Sequence, residues 1–135
     1  MNHFTLPVRV YYEDTDAGGI VYYVNYLKFM ERGRSEWLRS LGFDQSVLSV
    51  LFVVRGVEIR YEAPARLDDL LQVQVALKEC RGARLVFEQQ ILRDDGLVLC
   101  LAQVEVACVD RDSLRPCRLP DTLLHGLPKR DADIA

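Results

Sequence analysis

A chain of 135 residues, half of them hydrophobic and 27% charged, is sized for one soluble domain and leaves little room for a second. Its net charge of −3 excludes the broad basic field with which proteins hold nucleic acid. No apolar run approaches the roughly 18 residues of a membrane span, so no integral membrane segment is expected. The start, Met1-Asn2-His3-Phe4, has neither the basic stretch nor the apolar core of a signal peptide. A cytoplasmic protein is expected. Cys80, Cys100, Cys108 and Cys117 show no CxxC spacing, and only His3 and His125 are available to join them. The expectation is therefore no metal site and reduced thiols filling core positions.

Along the chain, Phe4 to Glu13 reads as a first strand with Val8, Val10 and Tyr12 on one parity. A glycine-containing acidic loop follows, and then a helix from about Val24 to Leu41. Tyr26, Met30, Gly33, Trp37 and Leu41 recur at i, i+4, i+7, i+11 and i+15, one continuous stripe, while charged residues occupy most of the rest. Glycine inside that stripe costs about 1 kcal/mol against alanine, which close approach to a strand offsets. Gly42 is placed to end the helix. Asp44 to Leu51 reads as a connecting segment with a helical turn or two.

The pattern then changes to period two. Val57, Ile59 and Tyr61 alternate with charged residues, and Leu71, Val73, Val75 and Leu77 alternate with polar ones. Two further strands run from Arg84 to Leu92 and from Leu97 to Val109. Ala63-Pro64-Ala65, Arg81-Gly82 and Asp94-Asp95-Gly96 supply the turns between them, and the last two predict antiparallel hairpins. One helix of roughly 27 Å at 1.5 Å per residue against a five-stranded antiparallel sheet is an α+β layer. Its exposed edges invite a second subunit. Residues 1–128 form a single domain in this reading, and 129–135 a flexible tail.

The stretch Tyr12-Glu13-Asp14-Thr15-Asp16-Ala17-Gly18-Gly19-Ile20-Val21-Tyr22-Tyr23 joins the first strand to the helix and sets two carboxylates beside two glycines. It fails as a calcium loop, because Gly18 and Asn25 stand where ligands belong. It fails as an Asp-x-Asp phosphatase loop, because the chain lacks alternating strands and helices. Spacing alone leaves two readings of Asp14 and Asp16: they close turns and cap the helix, or one carboxylate works at the helix N-terminus.

The same stretch, with Asn25-Tyr26-Leu27-Lys28-Phe29 and Glu31-Arg32-Gly33-Arg34-Ser35-Glu36, resembles the hotdog-fold acyl-CoA thioesterases. Tyr61-Glu62-Ala63-Pro64-Ala65-Arg66-Leu67-Asp68-Asp69 and Ala107-Cys108-Val109-Asp110 fit as well. The likeness is to the 4-hydroxybenzoyl-CoA thioesterase-like group, above all to the acyl-CoA thioesterases associated with the Tol-Pal system, and runs from about residue 7 to 120.

The resemblance implies a hotdog fold and hydrolysis of an acyl-CoA thioester, with Asp16 as the catalytic carboxylate and the backbone N–H of Tyr23 polarising the thioester carbonyl. Nucleophile and general base both stay open for Asp16. Gly18, Gly19, Ile20, Val21 and Tyr22 are then expected beside the substrate, with Arg81 and Arg84 holding the phosphates of coenzyme A. Tyr23 stands where the Tol-Pal-associated group usually has His, which puts the acyl preference of that group in question. The resemblance implies no cofactor beyond the coenzyme A of the substrate, and a homo-oligomer, a dimer at least and a dimer of dimers as the expected assembly. Glu31 is a second carboxylate to consider; an intrahelical pair with Arg34 or Ser35 is the simpler role. Asp68 and Asp69 are expected to close the turn before the third strand. The rival from another class is a non-catalytic module binding acyl-CoA or an acyl-carrier protein on the same fold. A hydratase of this fold uses His, and none occurs between residues 4 and 124.

Overall fold

Two tight hairpins set the order of the sheet. The computed structural model describes residues 3–127, so the tail assigned to 129–135 lies outside them. Strands β1 (Phe4–Arg9), β2 (Val50–Tyr61), β3 (Leu70–Arg81), β4 (Arg84–Arg93) and β5 (Val98–Asp110) accompany helices α1 (Tyr23–Ser40) and α2 (Asp121–Gly126). The turns at Gly82 and Gly96 make β3, β4 and β5 antiparallel neighbours, and the sheet is ordered β1-β3-β4-β5-β2. β1 and β2 are thus the two edges, and α1 crosses between them. Pro7 sits in β1 opposite Gln72, and an edge strand tolerates the missing N–H.

The alternation in β3 maps onto the layers as expected. Leu71, Val73, Val75 and Leu77 are buried against α1, while Gln72, Gln74 and Lys78 lie on the other face. α1 presents Tyr26, Phe29, Met30, Gly33, Trp37 and Leu38 to the core. A Cβ on Gly33 would stand 2.9 Å from Val75 Cγ2 and 3.0 Å from Val73 Cγ1, so the glycine is what lets helix and strand meet at this distance. Gly42, at φ +92°, donates its N–H to the Arg39 carbonyl at 2.9 Å and ends the helix in a conformation other residues reach only with strain.

Three expectations need correction. The first strand stops at Arg9 rather than Glu13, and Tyr12–Asp14 form a 3₁₀ turn, because the Asp14 carboxylate accepts the Tyr11 N–H at 2.8 Å and bends the chain. The segment from Asp44 holds no helix; β2 already begins at Val50. Its first half escaped the period-two pattern because a bulge between Val54 and Gly56 shifts the register. α2 adds a helix where the sequence pattern shows none. It is held by Phe43, whose ring lies where a Cβ on Gly126 would come within 2.6 Å of Cζ.

No disulfide joins the four cysteines; Cys100 and Cys108 are buried and Cys80 and Cys117 half-buried. Burial pushes the Cys100 thiol up to about 12 from an ordinary 9.0, as expected of a thiol used for packing. Asp69 Oδ2 accepts the Arg66 N–H at 2.9 Å and so closes the turn before β3.

Candidate functional site

The loop between β1 and α1 is organised by a buried carboxylate, and that carboxylate is Asp14. It is 5% exposed. Its Oδ2 accepts the Tyr11 N–H at 2.8 Å, its Oδ1 accepts from Asn25 Nδ2 at 2.9 Å, and its carbonyl accepts the Tyr22 N–H at 2.9 Å. One residue thus ties the end of β1 to the first turn of α1. Burying a carboxylate is costly unless donors surround it, and Tyr11 and Asn25 supply one to each oxygen. Asn25, in the first turn of α1, has no counterpart among the expected site residues. Its only trace in the sequence is a poor helix former within a strong helical pattern.

Asp16 occupies the exposed tip of the same loop. Its N–H donates to the Ile20 carbonyl at 2.9 Å and its carbonyl accepts the Gly19 N–H at 3.0 Å. Oδ1 accepts the Gly18 N–H at 2.8 Å, while Oδ2 has no hydrogen-bond partner among the described residues. One oxygen fixes the side chain and the other faces solvent. The two glycines serve this geometry differently. A Cβ on Gly18 would press to 3.2 Å from Asp16 Oδ1, and Gly19 needs its φ of +80°. The loop returns through bridges from Thr15 to Val21 and from Ile20 to Arg66, and the Val21 N–H donates to the Ala65 carbonyl at 2.9 Å.

Helix α1 then starts without a side-chain cap, its N-cap being Tyr22; neither aspartate caps it. Among the described residues nothing accepts from the N–H groups of Tyr23 and Val24, so the positive end of the helix is left open. Four tyrosines wall this end. The Tyr23 ring meets Tyr22 edge-on at 5.0 Å and Tyr61 at 6.1 Å, and the Tyr61 hydroxyl donates to the Tyr23 carbonyl at 3.1 Å. Tyr26 is buried, and its hydroxyl accepts the Ala65 N–H at 2.9 Å. Burial raises the pKa of Tyr26, and that of Tyr61 too, keeping both phenols neutral.

The residues singled out from the sequence separate into two places. Asp16, Gly18, Gly19, Ile20, Tyr22 and Tyr23 gather around the loop and the helix start, whereas the Val21 side chain is buried in the core. Arg81 and Arg84 flank the β3–β4 turn. That turn is a full strand of 12 residues away from Leu70 and the loop beneath it, roughly 36 Å over its steps of about 3.3 Å. Arg84 is engaged there by Glu79 at 2.6 Å and Glu105 at 3.3 Å. Glu31 forms no ion pair with Arg34; the Arg34 guanidinium turns to Gln89 instead and donates to Oε1 at 2.9 Å.

One long helix cradled by a five-stranded antiparallel sheet, with a carboxylate loop delivered to the helix start, is the architecture of a hotdog-fold thioesterase. The chain belongs to the thioesterase-like superfamily, whose family model matches residues 10–127. It is 49% identical over 123 residues to the acyl-CoA thioesterase YbgC of Haemophilus influenzae, covering 88% of this chain and 90% of that one. To the acyl-CoA thioester hydrolase YbgC of Escherichia coli it is 48% identical over 124 residues, 90% and 92% of the two chains. Among solved structures, "Probable Thioesterase from Bartonella henselae" superposes with a TM-score of 0.84 at 40% identity, covering 88% of this chain and all of that one.

Proposed function

We propose that this chain hydrolyses an acyl-CoA thioester to the free carboxylic acid and coenzyme A, in the cytoplasm. The observation that carries the reading is the division of labour at Asp16: one carboxylate oxygen is spent on the Gly18 N–H and the other is free, on a loop that runs directly into an uncapped helix start. The thioester carbonyl lies at that start, where the Tyr23 N–H and the positive end of α1 stabilise the charge that develops on its oxygen. Asp16 attacks the carbonyl carbon or takes a proton from an attacking water, and the sulfur of coenzyme A leaves. The tyrosines about the helix start wall the acyl side. Near-half identity to two chains named as acyl-CoA hydrolases supports the class of substrate.

No metal takes part in this reading. Asp14 is committed to Tyr11 and Asn25, and one oxygen of Asp16 to Gly18, which leaves no converging set of free carboxylate oxygens among the described residues. Thiol release from a panel of short-chain, long-chain and aromatic acyl-CoAs, assayed in EDTA, should therefore proceed at full rate. Release that appears only when one divalent ion is restored overturns the metal-free chemistry. Binding with no release from any thioester leaves a non-catalytic acyl-CoA module.

The active unit is a homo-oligomer, a dimer at least and a dimer of dimers in full. β2 is an unprotected edge of 12 residues, and Val53 and Val54 upon it are each 45% exposed, an apolar edge that a second copy covers. Assembly also supplies what one protomer lacks, a way for Arg81 and Arg84 to reach coenzyme A at another subunit's loop. Sedimentation at micromolar concentration should give a species of at least twice 15.5 kDa. A fully active monomer would remove both the assembly and the shared site.

A further inference from the structure

α1 does not fill the concave side of the sheet. It packs on β3, β1 and β4, so its remaining flank lies toward β5 and β2, and beside its last turns the protein leaves a cavity of ≈ 240 Å³. Trp37, Phe87 and Val106 form the floor, and Leu119 and Leu123 form the roof. The floor and roof side chains are buried, whereas Glu31, Ser35, Arg34, Gln45 and Val54 in the lining are exposed or half-buried, so the rim has an α1 side, at Glu31 and Arg34, and a side at Gln45 and Val54. A volume above the roughly 150 Å³ that holds a benzene ring, apolar at depth and polar only at its rim, suits the end of a hydrocarbon chain. Two contacts border it. The Arg34 guanidinium is drawn aside by Gln89, and the ring of Phe43 against Gly126 holds the roofing helix in place.

One stripe of α1 runs from the helix start to this cavity. Val24, Leu27, Glu31, Arg34 and Leu38 fall on one stripe of α1, at i, i+3, i+7, i+10 and i+14, and Val24 and Leu27 are half-buried. Glu31 lies eight positions past Tyr23, about 12 Å along the helix at 1.5 Å per residue. A short acyl group held at the helix start ends before the mouth; a long one laid along the stripe reaches it. We infer that the cavity takes the distal end of the acyl chain and that the substrates are long-chain acyl-CoAs, an inference that rests on the thioesterase reading above. Each methylene buried there strengthens binding roughly fourfold, so the cavity acts as a gauge of chain length.

Trp37 is the single tryptophan of the chain and stands edge-on to Phe87 at 5.2 Å, so its emission reports occupancy of the cavity without any turnover. S-dodecyl-coenzyme A, a thioether that cannot be hydrolysed, should change Trp37 emission saturably on the native protein, and S-propyl-coenzyme A should not. Val106→Phe, which adds a ring to the floor, should abolish that response and lower the ratio of kcat/KM for lauroyl-CoA over propionyl-CoA roughly tenfold. Leu123→Phe fills the same space from the roof and replaces it should Val106→Phe melt early. An emission unchanged by the dodecyl thioether overturns the inference, as does an unaltered ratio in a folded variant. A saturable Trp37 response without hydrolysis of any thioester keeps the chain pocket and removes the thioesterase reading.

Discussion

Replacing Asp16 by asparagine is expected to leave the fold intact and to lower kcat by roughly 10²–10⁴-fold, the contribution of a positioned acid–base group. The expectation turns on what asparagine keeps. Its carbonyl oxygen can still accept the Gly18 N–H that Asp16 Oδ1 accepts at 2.8 Å, and the backbone bonds to Gly19 and Ile20 do not involve the side chain. The loop therefore stays closed, while the second oxygen loses its charge and its basicity. If Asp16 only closed the turn, asparagine would serve as well, since the two residues are near equals in such positions. Thermal melting separates misfolding from lost chemistry, and Glu13→Gln, at an exposed neighbouring carboxylate, is the control. Near-normal turnover in a folded Asp16→Asn protein would return Asp16 to a turn-closing role.

Much of this architecture is legible in the residues, and the failures have local causes. The α1 stripe works as a signal because a single flank of the helix is buried, and Gly33 declares a close contact that Val73 and Val75 then occupy. The two hairpins follow from turn chemistry alone. The first half of β2 shows no period-two signal because a bulge breaks the parity on which strand recognition depends. The alternation runs on through Tyr12 and overstates β1, although a local bond from the Tyr11 N–H to the buried Asp14 carboxylate has already turned the chain. α2 is six residues long, too short for a helical period to show. At the site, chain order brings Asp16 to the helix start, and only the likeness to other thioesterases singles it out from Asp14. What no sequence pattern reveals is which aspartate is buried: the partner that decides it, Asn25, lies 11 positions away across a loop.

That burial gives Asp14 a consequence opposite to that of Asp16. Asp14→Asn puts an amide group against one of two donors, Asn25 Nδ2 or the Tyr11 N–H, and its single carbonyl oxygen can answer only the other. A buried donor left without an acceptor costs about 1–3 kcal/mol, enough to lower the melting temperature by several degrees in a domain of this size. Asn25→Asp alone does comparable damage by setting two carboxylates face to face. Combining the two substitutions restores the match. An asparagine at position 14 donates to an aspartate at position 25 and still accepts the Tyr11 N–H, and the new carboxylate stands in the first turn of α1, where the helix dipole favours it. The double variant should therefore recover most of the stability that either single change removes, a coupling of at least about 1 kcal/mol in a double-mutant cycle. Activity should return along with stability, because this pair holds the Asp16 loop against the helix start. Additive losses in the cycle would mean that the Asp14–Asn25 bond does not organise the loop.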